Sequence, residues 1–269
     1  MNQQIAILIN QYQQLNLSQA INYDKFNQYA IVHHSTTIEG STLTEVETRL
    51  LIEEGITPKG KPLLHSLMVQ DHYNALLFIL LCVKQKQVID STFVKAINSQ
   101  VMKKTGSVYQ TIFGELDASQ GIFRKGNVSA GNSYFVGYDK VEMLVEKLCA
   151  TLRQKLPTAT TVEEQLLLSF DAHFDLVSIH PFYDGNGRTS RLLMNFIQAF
   201  FQLPMAIVFK EDKVDYFEAL MASRKAEDLL FFREFMYAQY RKFLTAEIDK
   251  FNAINSPLPK KGGGYSFVF

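Results

Sequence analysis

The chain has 269 residues, with 27 Lys and Arg balancing 27 Asp and Glu, so its formal net charge is zero and its pI is near 7.0. That balance excludes a global electrostatic pull toward nucleic acid or anionic lipid. A hydrophobic share of 47% supplies a sizeable core for one large domain, or for a domain with an extension.

Cys82 and Cys149 lie in apolar runs without ligand spacing and read as buried free thiols, which fits a reducing setting. The longest uninterrupted apolar run, residues 75–83, falls short of the ~20 residues that span a bilayer. The opening Met-Asn-Gln-Gln-Ile-Ala-Ile-Leu has no basic stretch and no cleavage site, so no signal peptide is expected and a cytoplasmic location is.

In chain order, a loosely periodic helix is predicted over residues 23–38. Thr42-Leu43-Thr44-Glu45 reads as a capping box opening a helix that stops near Gly55. Residues 57–62, with two prolines and a glycine, form a loop, followed by a long apolar helix over 64–86 and another over 91–104. Residues 121–137 hold four glycines with Ile122, Phe123, Val128, Tyr134, Phe135 and Val136 between turn formers, the pattern of a short β-hairpin. Helices resume over 139–156 and 162–179, where Leu166, Phe170, His173, Phe174 and Val177 mark one face. Another apolar stripe (Leu192, Leu193, Phe196, Ile197, Phe200) precedes two last helices over 214–225 and 231–251. The tail, 257–269, carries Pro, Lys and three glycines before an aromatic end; docked and undocked forms both fit it.

The twelve residues His180-Pro181-Phe182-Tyr183-Asp184-Gly185-Asn186-Gly187-Arg188-Thr189-Ser190-Arg191 join two of these helices. Pro181 disfavours helical geometry at His180, which therefore ends the first helix. The glycines let the backbone turn tightly, and the free N–H groups of the next helix face that turn as an anion site. Arg188 and Arg191, three apart, can grip the same phosphate. Asp184 is a hard oxygen ligand, and one carboxylate plus phosphate oxygens and waters is the usual way to hold Mg²⁺. His180, with an ordinary pKa of about 6.5, suits a general base. Separately, a turn, a histidine before proline and two arginines are all ordinary. Together they point to attack of a hydroxyl on a Mg-bound phosphate. A P-loop signature and the protein-kinase set are both missing.

The segment resembles the Fic family signature HPFxDGNGRxxR at every defined position. His173-Phe174 upstream, Gly121-Ile122-Phe123-Arg124 as the start of a flap, and Tyr216-Phe217 followed by Ala219-Leu220 extend the resemblance over residues 65–240. It implies an all-α fold: a Fic-type helical core over 64–251 with a small β-hairpin flap, an N-terminal helical extension over 1–63 and a tail over 252–269. The implied activity is transfer of AMP from ATP to a Ser, Thr or Tyr hydroxyl of a target protein. By the same resemblance His180 is the base and Asp184 the Mg²⁺ ligand. Gly185, Asn186 and Gly187 cradle the phosphates, Arg188 meets the inner ones, and Arg191 meets the γ-phosphate. Phe182 is a core anchor, and Phe217 and Val128 flank the base of the nucleotide. Arg224 stands where adenylylating relatives often carry Asn, which leaves the preferred nucleotide open.

Ser35-Thr36-Thr37-Ile38-Glu39-Gly40 resembles the family's inhibitory motif [ST]xxxE[GN]. It implies an N-terminal inhibitory helix whose Glu39 pairs with Arg191, with Ser35 one turn earlier in the same network. A target protein, self-modification and a homodimer are the expected partnerships; nucleic acid and membrane are not expected. His33 and His34 are adjacent and cannot share a helical face, and His65 and His72 lack an accompanying carboxylate pattern, so no zinc site is expected. De-adenylylation, transfer of another nucleotide, and a nucleotide-sensing interaction module are the competing readings.

Overall fold

The structure is a computed structural model, and it describes residues 2–15, 23–111, 114–130 and 133–255. The tail, residues 256–269, lies outside them, so its docking is not addressed.

Ten helices make up most of the described chain: α1 (Asn2–Gln14), α2 (Tyr23–Ile38), α3 (Glu45–Glu54), α4 (Leu63–Lys84), α5 (Ser91–Met102), α6 (Tyr138–Lys155), α7 (Val162–Ile179), α8 (Asn186–Phe200), α9 (Lys213–Ala226) and α10 (Leu230–Asn255). Between α5 and α6 lie two antiparallel hairpins, β1–β2 (Val108–Thr111 with Gly114–Asp117) and β3–β4 (Ser129–Ala130 with Ser133–Tyr134). The expected all-α architecture with a small flap is what the chain adopts.

Helix α8 is the centre, packed by α4, α5 and α7. It is buried on nearly every face, including Arg188, Arg191, Asn195 and Gln198. Its buried amides are satisfied locally: Gln198 Oε1 accepts the N–H of Ala206 at 2.7 Å and Asn195 Nδ2 donates to Ala206 O at 3.0 Å. Of its predicted stripe, Leu192, Leu193, Phe196 and Ile197 are buried while Phe200 is 39% exposed. The predicted face of α7 is buried throughout. Helix α2 packs on α3, α4 and α8, which carries the N-terminal segment onto the core. Phe182 anchors the motif loop at 1% exposure, 5.3 Å from the Phe123 ring. Cys82 and Cys149 are both buried free thiols, and burial pushes Cys149 up to about 12.

One expectation is corrected, and three features go beyond the sequence reading. The capping box of α3 lies two residues later than predicted: Thr44 Oγ1 accepts the N–H of Glu47, and Glu47 Oε2 accepts the N–H of Thr44. Thr42 instead meets Nδ1 of His65 at 3.0 Å; both threonines stand three residues before a Glu, so spacing alone does not choose the cap. The β1–β2 hairpin carried no prediction, although Val108-Tyr109-Gln110-Thr111 before Gly114 has strand composition. Helix α1, which buries Ile5 and Ile9 four residues apart, was also unread. Finally, α4 with its polar residues included is long and apolar enough to cross a membrane, at a mean hydropathy of 1.4. It packs here against α2, α3, α5 and α8, with Asp71 and His72 turned fully inward.

Candidate active site

Helix α7 ends at His180, which takes the left-handed conformation (φ 53°, ψ 60°) while its N–H still reaches Leu176 O at 3.0 Å. That single left-handed residue turns the chain sharply into Pro181 and aims the imidazole out of the helix. Asn186 closes the loop from the other side. Its Oδ1 accepts the N–H of Phe182 at 2.9 Å and its Nδ2 donates to Phe182 O at 2.8 Å. The Asn186 side chain is therefore structural, and what it can offer a phosphate is its backbone N–H.

Gly185 caps α8 with φ 77° and no side-chain cap, so the first N–H groups of the helix lack intrahelical partners. A Cβ at Gly185 would meet Met102 Sδ at 2.7 Å and Asn98 Nδ2 at 2.8 Å. Asn98 itself donates to Asp184 O and to Thr189 Oγ1, both at 3.1 Å, tying α5 to the turn. Arg188 is 2% exposed; its Nη2 lies 3.2 Å from Met102 Sδ and 3.5 Å from Asp184 Oδ1, and its Nε has no partner.

Arg191 is the meeting point of the predicted network. Its Nε donates to Ser35 Oγ at 2.8 Å, and its Nη2 donates to Ser35 O at 3.1 Å and Glu39 Oε1 at 2.6 Å. Its Nη1 is buried without a partner. The Glu39 carboxylate lies directly over Gly187, where a Cβ would collide with Oε1. It thus sits at the opening of α8, in the place the backbone offers to an anion. Burial works against the Glu39 charge, but Arg191 and Arg188 outweigh it and hold the carboxyl below its ordinary value. Burial likewise opposes the Arg191 charge, and Glu39 more than restores it.

Over the imidazole of His180 lies Phe135, stacked at 3.9 Å and 14°. Burial is the main reason that His180 falls to about 4; its Nδ1 contact with Val177 O (3.4 Å) opposes the fall, and Arg224 and Arg124 add to it. Arg224 completes the stack, its guanidinium 5.4 Å from the Phe135 centroid. It donates to Ser178 Oγ at 3.1 Å and Val177 O at 3.2 Å, so this departure from the family pattern braces the flap against the end of α7.

Phe217 lies 41% exposed on α9 beside Tyr216, and Val128 is half-buried just before β3. Asp184 is half exposed (53%) and its Oδ1 accepts the N–H of Gly185 at 2.5 Å. One hard oxygen donor beside an anion cradle fits a magnesium held mainly by phosphate oxygens and waters. No group of three His, Cys, Asp or Glu suited to a metal occurs among the described residues. The ring centroids of His33 and His34 lie 5.3 Å apart, and His34 Nδ1 accepts the N–H of Lys210; His65 meets Thr42, and His72 is fully buried with neither ring nitrogen bonded. The residues that sequence reasoning undervalued are Phe135, counted only as apolar, and Arg124, counted only as the start of the flap.

Residues 88–198 match the family model described as the Fic/DOC family. The chain is 30% identical over 198 residues to "Protein adenylyltransferase Fic" of Drosophila erecta and 28% identical over 197 residues to the same-named protein of Aedes aegypti. In both cases 73% of this chain is covered, and the chain spans about 37% of the length of these curated relatives. Among solved structures, a Fic domain containing signaling protein from Bacteroides thetaiotaomicron superposes with a TM-score of 0.77 at 20% identity, covering 93% of this chain and 97% of that one. Fic-1 from C. elegans gives a TM-score of 0.76 at 22% identity, covering 93% of this chain and 72% of that one. A left-handed histidine, an uncapped helix start and two buried arginines thus sit on a fold shared with Fic proteins, and residues 88–198 of the chain carry a Fic/DOC family domain.

Proposed function

We propose that this chain is a protein adenylyltransferase held in check by its own N-terminal helix. The carrying observation is the Glu39 carboxylate lying on Gly187 and bonded to Arg191, an anion already seated in an anion cradle. A site that holds a carboxylate with a helix start and two arginines can hold a triphosphate in the same way. In the reaction, a target hydroxyl oxygen attacks the α-phosphorus of ATP and the bond to the bridging oxygen breaks. AMP becomes esterified to the target, and pyrophosphate leaves. The hydroxyl proton passes to the imidazole of His180, which its depressed pKa keeps neutral at physiological pH. Arg188 and the first N–H groups of α8 take the charge on the leaving phosphates, and Arg191 takes the γ-phosphate once Glu39 withdraws. Asp184 would hold Mg²⁺, which supplies further neutralisation of phosphate charge.

The test is transfer of label from α-³²P-ATP to protein. Glu39→Gly is expected to raise it by roughly tenfold or more, the scale of an ordinary coupling between two sites. ATP is also expected to raise the melting temperature of Glu39→Gly more than that of the unaltered chain, since tighter binding to the native state stabilises by mass action. Equal labelling and equal thermal shifts would reject the proposal. A second reading, removal of AMP from a modified target, is favoured by the ionised state of Glu39, which could orient a water at the cradle. Loss of label from a pre-modified target, abolished in Glu39→Gly, would distinguish it. His180→Ala separates both from a nucleotide-sensing module, because only an enzyme loses its activity there while nucleotide binding survives.

A further inference from the structure

Arg124 is a cation without a counter-ion. It is 2% exposed, and no ion pair joins it to a carboxylate among the described residues. Its whole fork is spent on backbone carbonyls. Nε donates to His180 O at 2.8 Å, Nη1 to Gly126 O at 2.8 Å, and Nη2 to Val136 O at 2.6 Å, with Ile179 O a longer 3.5 Å away. The backbone N–H of Arg124 donates to Pro181 O at 2.9 Å. Burying an uncompensated guanidinium is costly, and its pKa falls accordingly, chiefly through desolvation.

The four acceptors are not a random set. Ile179 and His180 are the last residues of α7, whose terminal carbonyls have no intrahelical donors and carry the negative end of the helix dipole. Gly126 and Val136 flank the β3–β4 hairpin on its two sides, one before Ser129 and one after Tyr134. One planar side chain therefore fastens both legs of the flap to the carbonyl of the residue that bears the imidazole. His180 is also one of four non-glycine residues with positive φ among the described residues, and its carbonyl is the one that Nε holds. An unfavourable left-handed backbone persists only when its surroundings determine it.

We infer that Arg124 is a positioning residue: it locks the backbone of His180 and the root of the flap into one unit, so that Phe135 and the imidazole are set face to face. This rests on the adenylyltransferase reading only for its kinetic readout. Lysine cannot replace it, because a single ammonium cannot reach carbonyls spread over three segments in a fixed plane.

The test uses the full chain carrying Glu39→Gly, with Arg124→Lys and Arg124→Gln added singly. Transfer turnover is expected to fall at least tenfold in both, with KM for ATP within about twofold, because the cradle of α8 is built by other residues. Amide exchange over residues 121–137 is expected to accelerate. The His180 imidazole, followed by NMR, is expected to titrate higher than in Glu39→Gly alone as Phe135 loosens; Arg224, the other charge facing it, stays in place, and Glu39 is absent from every form compared. Unchanged turnover, or an unchanged His180 titration in a folded variant, overturns the inference. If neither variant folds, the unaltered chain still decides: the Nε–H of Arg124 must exchange slowly, and rapid exchange there overturns it. Absence of transfer from Glu39→Gly itself would sink the enzymatic reading alone, since the exchange and titration readouts need no activity.

Discussion

Arg191 shows how one residue can serve two states. It is buried at 3% exposure, and an anionic partner offsets the cost of desolvating its charge. Glu39 is that partner here, and a phosphate would replace it charge for charge. The depressed Glu39 carboxyl stays ionised above its ordinary value near 4.5, and the pairing is lost only as pH falls through the lowered value. Activity of the unaltered chain is accordingly expected to show no rise between pH 8 and pH 5.5, measured against Glu39→Gly to cancel other titrations. Gly185 is the second residue whose identity is forced. With φ 77° and Met102 Sδ 2.7 Å from any Cβ, Gly185→Ala is expected to destabilise by about 1–3 kcal/mol, read by urea unfolding.

At the scale of elements, the flap and the helix ends decide the chemistry. Phe135 is part of why His180 sits at about 4, since its ring covers one imidazole face. Phe135→Ala is expected to raise that value toward 6.5, visible as a shift of the imidazole NMR titration midpoint; no change would separate the stack from the desolvation. Most helices were legible because their periods are strong: the stripe of α7 is buried as read, and its end at His180 follows from Pro181. The motif was legible because consecutive residues build it. The β1–β2 hairpin was not, since strands of four residues carry little periodicity, and Tyr109 gains its partner only by stacking on Tyr183 at 4.8 Å. The flap was placed by its glycines, but the arrangement Arg224–Phe135–His180 joins residues from three elements and no local pattern announces it. Arg191 and Glu39 lie 152 residues apart, and only the resemblance connected them before the fold did.

For the whole molecule, histidine burial sets the response to acid. Desolvation lowers five of the six histidines, His33, His34, His72, His173 and His180, and brings His34 and His180 to about 4. Their unfolded values lie near 6.5, so between pH 6.5 and 4 the unfolded chain binds more protons than the folded one. Stability must then fall as pH falls through that window. Asp175, raised to about 6 by burial and by Asp171, and Asp71, also raised by burial, work in the opposite direction but are two groups against five. Urea midpoints are expected to drop steadily from pH 7 to pH 4.5. His34→Phe, which removes one titrating ring from a buried aromatic contact with Phe209, is expected to flatten the slope. A midpoint independent of pH across that range would contradict the burial of these rings.

The hold of α2 on α8 has a consequence for dose and response. On the proposed reading Glu39 is a tethered competitor, present at an effective concentration that the fold sets and that no dilution changes. Nucleotide would then have to outbid a ligand that never diffuses away, so resting activity would measure how firmly α2 is docked. Thr36, fully buried, with its hydroxyl donating to Val32 O at 2.8 Å, lies between Ser35 and Glu39 on that helix and touches no phosphate. Substitutions at such remote packing positions should therefore retune the enzyme continuously, acting on the strength of its internal ligand rather than on its chemistry.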